Sequence, residues 1–230
     1  MSVDGVTAQK ASRAIRVQGG RGMEHLHHVI VTEKLSSVEK QQQDEYQILF
    51  ERQKRIEFLG RVRQLFNNPA YVNDVDGSID LTNSPEREGL VAEAEAMMEE
   101  AEELREAANL LQEQIDALKE IDARDGTDHS SDIKALEERR DALNGLADEI
   151  EDTVNATHLL DGTTKYSREQ RHQVKDNMET QSGSLKNLNT YQHTKVQRLQ
   201  SELMEILNLI KSMMSRIHDT KVSTARGIRG

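Results

Sequence analysis

Between Leu185 and Ile217 the apolar residues recur at alternating spacings of three and four. Val196, Leu199, Leu203, Ile206, Ile210, Met213 and Ile217 form the heart of the series, and neither Pro nor Gly interrupts it. This spacing sets the side chains on one narrow stripe of a long α-helix, the seam of a coiled coil. At about 1.5–3 kcal/mol for each buried side chain, covering the stripe contributes roughly 10–20 kcal/mol. Left bare, it is an aggregation surface. The helix therefore needs a partner.

Composition limits what that partner can be. Apolar residues make up 35% of the 230 positions and charged residues 31%, with three Phe, four Tyr and no Trp. That is too little large apolar surface for a thick globular core, yet enough for helices joined along thin seams. Only two prolines occur, and helix-forming Ala, Glu, Leu, Gln and Arg abound, so the expected fold is all-α. The net charge of −11 argues against a general nucleic-acid binder, because phosphate contacts need a basic footprint. The charge is also uneven. Residues 86–106 carry nine Glu against Arg87 and Arg105, whereas residues 195–230 carry seven Lys/Arg against Glu202, Glu205 and Asp219.

The absence of cysteine removes disulfides and thiolate metal sites. No apolar run approaches the roughly 18 residues that span a bilayer, so no membrane span is expected. Residues 1–22 are polar, rich in small residues and mildly basic, without the apolar stretch of a Sec-type signal. They read either as a flexible tail or as an uncleaved export segment.

Four segments follow from the punctuation of the chain: 1–22, 23–83, 84–160 and 161–230. The second holds a helix starting near Met23 or Lys34, with Tyr46, Leu49, Ile56, Leu59, Val62 and Phe66 on a broad apolar face. Asn67-Asn68-Pro69 stops it, since the residue before Pro is driven out of the α region. Val72, Val75, Ile79 and Leu81 around Asp76-Gly77 predict a small β-hairpin packed on the helices. In the third segment Ser84-Pro85-Glu86 opens a helix with a cap residue, Pro at the first helical position and acid at the positive dipole end. Its stripe runs Leu90, Ala94, Met97, Ala101, Leu104, Ala108, Leu111, Ile115 and Leu118. After a turn at 122–131 a second stripe follows, Ile133, Leu136, Leu143, Ala147, Ile150 and Val154, with Arg140 on the seam. Two such helices across a short polar loop fold back as an acidic helical hairpin. Ser167 with Gln170 forms a capping box for the final helix, and Gly183 is expected to break or bend it.

Candidate metal ligands fail on spacing. Asp74–Asp80 alternates oxygen side chains like a calcium loop, but Ile79 and Pro85 stand where that loop needs Gly and Glu. His25, His27 and His28 cluster without an evident third ligand class beyond Glu24. No phosphate loop, nucleophile elbow or zinc-protease motif occurs, so no catalytic residues, no metal and no cofactor are expected.

The stretch Leu185 to Gly230 resembles the C-terminal helix of type III secretion needle-tip and filament proteins of the EspA and SseB kind. The likeness is carried by Val196, Leu199, Gln200, Glu202, Leu203, Leu207, Asn208, Ile210, Ser212, Ile217, Ser223 and Ile228. The resemblance implies an elongated antiparallel coiled coil of the long N- and C-terminal helices, with the acidic hairpin inserted. Tyr46, Leu49, Ile56 and Leu59 would then face Leu199, Leu203, Ile210 and Ile217. It also implies a secreted, non-enzymatic virulence subunit that self-assembles into a tip complex or hollow filament. Such a subunit leaves the cell by a Sec-independent route and stands on the bacterial surface. Its partners are further copies, the needle subunit, translocator proteins and a dedicated cytosolic chaperone. The basic, small-residue tail, with Lys221, Thr224, Arg226, Ile228 and Arg229, lies off the stripe and is the expected contact between copies. The alternative is a cytosolic coiled-coil adaptor or secretion regulator that binds partner helices without polymerising.

Overall fold

Four helices follow from the local signals, and their ends obey them. The structure, a computed structural model, describes residues 21–227, with side chains described over 29–219 and at Val222 and Ser223. Helix α1 spans Arg21–Asn67, α2 Pro85–Asp125, α3 Ser130–Asn155 and α4 Arg168–Gly227. Two strands of two residues each complete the fold: β1 is Ile79–Asp80 and β2 is Lys165–Tyr166. The fold is all-α with this one small sheet. Apart from its last two positions, the expected tail or export segment 1–22 lies outside the described residues.

Ser84 caps α2 by accepting from the Arg87 amide at 3.2 Å, with Pro85 in the first turn where its missing N–H costs nothing. At the other end Gly126, at φ +66, takes the left-handed conformation that closes a helix and donates to the Asp122 carbonyl. Ser167 and Gln170 cap α4 reciprocally. The Gln170 amide donates to Ser167 Oγ at 3.2 Å and the Ser167 amide to Gln170 Oε1 at 2.9 Å. The expected break at Gly183 does not occur, because α4 runs through it. A helical Gly costs about 1 kcal/mol relative to Ala, and the burial of Met178 and Leu185 on either side outweighs that.

By its contacts the chain forms two compact units. The first comprises the described part of α1 up to Phe50 and α4 from Asn189; the second is Glu51–Leu188. In the first unit the two helices run antiparallel, because Lys34 pairs with Glu202 at 3.0 Å while Glu45, further along α1, pairs with the earlier Lys195. Val38, Leu199 and Ile206 are buried between them, with Val31, Leu35, Leu203 and Ile210 half-buried alongside.

The second unit is built around Phe58, Leu59, Val62, Leu65 and Phe66 of α1. Ile79 and Leu81 around β1, Leu90 and Ala94 of α2, Val154 of α3 and Val174, Met178 and Leu185 of α4 close over them. The Phe66 and Tyr166 rings meet at 5.0 Å, a favourable tilted pair.

Two further expectations need correction. The predicted β-hairpin at 71–81 is reduced to one bridge, Val72 to Ile79, across the turn where Gly77 adopts φ +70. The partner of β1 is instead β2, antiparallel, with Ile79 opposite Tyr166 and Asp80 opposite Lys165. Tyr166 supplies the reason: its ring is buried beside Phe66, and its hydroxyl donates to the carbonyls of His158 and Thr163 at 3.1 and 3.0 Å. The second correction concerns which residues face each other. Leu59 belongs to the same core as Met178 and Leu185, whereas Leu203 and Ile210 are packed, like Val31 and Leu35, against the separate cluster of Val38, Leu199 and Ile206. Tyr46 faces solvent. Heptads interlock equally well one turn up or down, so apolar spacing alone left this register open.

Replacing Phe66, fully buried, by Ala is expected to cost about 3–5 kcal/mol in chemical denaturation, whereas Tyr46→Ala changes stability by less than about 0.5 kcal/mol.

Candidate assembly surface

The seam of the first unit contains a polar knot. Glu45 and Gln192 are both buried, at 8% and 6% exposure. The Gln192 amide donates to the Glu45 carboxylate, and the Lys195 ammonium pairs with the same group. A carboxylate in an apolar seam is costly unless it is paired and hydrogen-bonded, and here both conditions are met. Any slip of one helix along the other would strand it.

Around this knot Leu49 and Val196 are buried, Leu199 and Ile206 lie in the seam, and Leu203 and Ile210 are half-buried against it. Met213 and Ile217 are half-buried further along α4. Ile56 is half-buried against the core of the second unit, to which Leu59 also belongs. The expected copy-to-copy contact falls outside what is described. The side chains of Lys221, Thr224 and Arg226 are outside the described residues, as are Ile228 and Arg229 altogether, and so are the His25, His27 and His28 side chains. Sequence spacing passed over a different feature. Met204, Leu207, Leu209 and Met214 lie off the stripe and are exposed on α4. Their signal was apolar character without a seam position.

The second unit is tied together by charge. Arg52 donates to both carboxylate oxygens of Glu149, at 2.7 and 2.6 Å, and Arg55 approaches the same carboxylate at 3.5 Å. Both guanidiniums are buried. Burial lowers the pKa of Arg55 from its ordinary value, opposed by the nearby carboxylates of Glu100 and Glu149. One carboxylate on α3 thus serves two buried cations on α1.

The acidic hairpin is an antiparallel pair with a dry stripe and a wet one. Leu90, Ala94, Ala101, Ala108 and Ile115 are buried on α2, and Ala147, Ile150 and Val154 on α3. Small Ala lets the backbones approach. Arg105 reaches across to Glu151 at 2.8 Å and Asp148 at 2.9 Å, and Lys119 to Glu137 at 3.0 Å. Hydrogen bonding to Glu151 raises the pKa of the Arg105 guanidinium, and the same bond holds the Glu151 carboxyl below its usual range. Arg140, expected on the seam, is half-buried and bonded to Gln112 and Asp141. On the outer side Glu95, Glu99, Glu102, Glu106 and Glu113 are all exposed, a row of one sign.

The oxygen-rich loop 74–80 uses its carboxylates locally. Asp76 accepts from the Ser78 amide and hydroxyl, and Asp80 from the Thr82 amide and hydroxyl. The Thr82 hydroxyl, foremost, and Lys165 hold Asp80 down to about 2. Among the described residues no group of three His, Asp or Glu is placed to hold a metal ion. A cleft of about 730 Å³ lies between α1 and α2, over Leu65, Pro69 and Leu90. Of its charged lining groups, Arg61 pairs with Glu93 at 2.5 Å, and Glu86 accepts from the Tyr71 hydroxyl at 2.9 Å. Among the described residues no helix is long and apolar enough to cross a membrane.

No protein-family model matches the chain, and neither a curated protein nor a solved structure matches it.

Glu149→Ala takes from the two buried guanidiniums of Arg52 and Arg55 the carboxylate they share, and is expected to cost about 3–5 kcal/mol in urea denaturation. Acid should act on the loops. A carboxylate held below its unfolded value stabilises the fold above about pH 4 and loses that effect as pH falls toward 2. Asp76, Asp80, Asp122, Asp128 and Glu151 are all held down in this way. Thermal midpoints should therefore drop between pH 4 and pH 2, and less so in Asp80→Asn than in the parent chain.

Proposed function

We propose that this chain is a secreted structural subunit that self-assembles at the tip of a type III secretion needle. There it forms a tip complex or hollow filament that guides effectors and translocators toward the host membrane. The observation that carries the reading is the antiparallel pair formed by α1 and α4 in the first unit. The long last helix keeps its seam with α1 and still exposes Met204, Leu207, Leu209 and Met214. A helix with its main stripe already covered and further apolar side chains outside it is suited to contact another molecule. The likeness of residues 185–230 to needle-tip and filament subunits supports the same reading. Passage through a Sec-independent route, a cytosolic chaperone that covers the exposed apolar residues before export, and contacts with needle and translocator proteins belong to this proposal. Its mechanism is mechanical and needs no covalent chemistry.

A second reading has its own support. The outward row of glutamates on α2 is of one sign, which suits a cytosolic adaptor that binds a basic partner helix without polymerising.

The two readings differ in what the pure protein does. Multi-angle light scattering with negative-stain microscopy, over a wide concentration range at low and high salt, should reveal concentration-dependent rings or fibres. A strictly monomeric protein under all these conditions would sink the assembly reading and leave the adaptor.

A further inference from the structure

The seam between α1 and α4 divides the first unit into two sides of different chemistry. On α4 the seam positions Leu199, Leu203, Ile206 and Ile210 are flanked by Glu202 on one side and by Leu207 and Met214 on the other. On α1 Lys34 flanks the seam on one side, Thr32 and Glu39 on the other. The bridge from Lys34 to Glu202 at 3.0 Å shows which flanks share a side. Thr32 therefore lies on the side of Leu207 and Met214, with Val29 and Met204 next outward.

The bridged side is charged, with Lys34, Asp44, Lys195, Arg198, Glu202 and Glu205 at its outer positions. The other side runs from Val29 to Phe50 on α1 and from His193 to Met214 on α4. Among its described outer positions only Glu39 and Lys211 carry a full charge. Val29, Met204, Leu207 and Met214 are all exposed there. A charge-poor side with Met and Leu gathered on it has the composition of an interface centre. Because the helices run antiparallel, these four residues lie toward the start of α1.

That is the end at which residues 1–20 join the pair, since α1 begins at Arg21. Gly19 and Gly20 stand at the junction, and glycine tolerates the backbone angles of a sharp reversal. Just before them, Thr7, Ala8, Ala11, Ala14, Ile15 and Gln18 fall on one side of a helical projection, without a charge. Lys10, Arg13 and Arg16 fall on the opposite side. In helical form residues 7–18 are as long as α1 from Arg21 to Thr32, about 18 Å.

We propose that residues 7–18 turn back at Gly19-Gly20 and lie as a third helix along the charge-poor side. Their uncharged stripe faces Val29, Met204, Leu207 and Met214, and small Ala lets the backbones approach. Lys10, Arg13 and Arg16 stay in water. The occupant is thus the chain itself, and any partner for these apolar residues must first displace the segment. The inference goes beyond the assembly reading and holds whether or not copies associate.

The chain has no cysteine, so single thiols report the cover directly. In dilute solution Leu207→Cys should react with a maleimide several-fold faster in a chain lacking residues 2–18 than in the full chain. Glu205→Cys, on the charged side at nearly the same level, should react equally in both. Ile15→Glu puts a charge into the stripe of the otherwise intact chain and should speed Leu207→Cys as the deletion does. With oxidised glutathione as oxidant, Ala11→Cys and Leu207→Cys together should form a disulfide within one chain, whereas Ala11→Cys with Glu205→Cys should not. Equal rates for Leu207→Cys with and without the segment, and no link to residue 11, would overturn the proposal. A disulfide joining two chains through residue 207 would assign this side to a second copy and overturn it likewise.

Discussion

A coiled-coil seam made only of Leu, Ile and Val has no preferred register, because every heptad resembles the next. In the first unit this degeneracy is lifted by a buried acid. Glu45 can sit within the seam between α1 and α4 only where Gln192 and Lys195 reach it. A shift of one turn would bury the carboxylate without partners, at a cost of several kcal/mol, while leaving the apolar contacts nearly as good. The polar knot therefore decides where Val38 meets Leu199 and Ile206, and which apolar residues of α4 remain outside.

The second unit solves the same problem with more sides. Its core has the large residues that the seams lack, Phe58, Phe66 and Tyr166, and the short β1–β2 ladder holds the Tyr166 ring in place. Glu149 joins α3 to α1 through Arg52 and Arg55. The hairpin of α2 and α3 is held differently, with Ala-rich close packing inside and bridges from Arg105 and Lys119 along its edge. Such exposed bridges contribute little energy each, so the pairing of these helices depends mainly on the buried stripe.

Charge is sorted across the surface in a way that bears on function. The outer row of α2 is almost wholly glutamate, which keeps that face solvated. Among the exposed positions of α4 from 200 to 215 only Glu205 and Lys211 are charged, and Met204, Leu207, Leu209 and Met214 are apolar.

Much of the fold was legible in the residues. The stripes, the two prolines, the Ser84 cap and the Ser167–Gln170 box are short-range signals, and periodicity of three and four leaves no structure but helix. What lay beyond reach was everything decided by residues distant in sequence. Nothing near Ile79 announces that its strand partner is Tyr166, because a two-residue ladder has no periodicity of its own. Gly183 reads as a break until its buried neighbours, Met178 and Leu185, are seen to carry the helix across it. Nor does Glu45 look different from any other surface acid until Gln192 and Lys195 are brought beside it. Local propensity and apolar spacing act over one or two turns, so the chain by itself determined its helices and their dry faces. Register, the sheet and the choice of which apolar residues stay exposed are long-range packing outcomes, and these came from the folded arrangement.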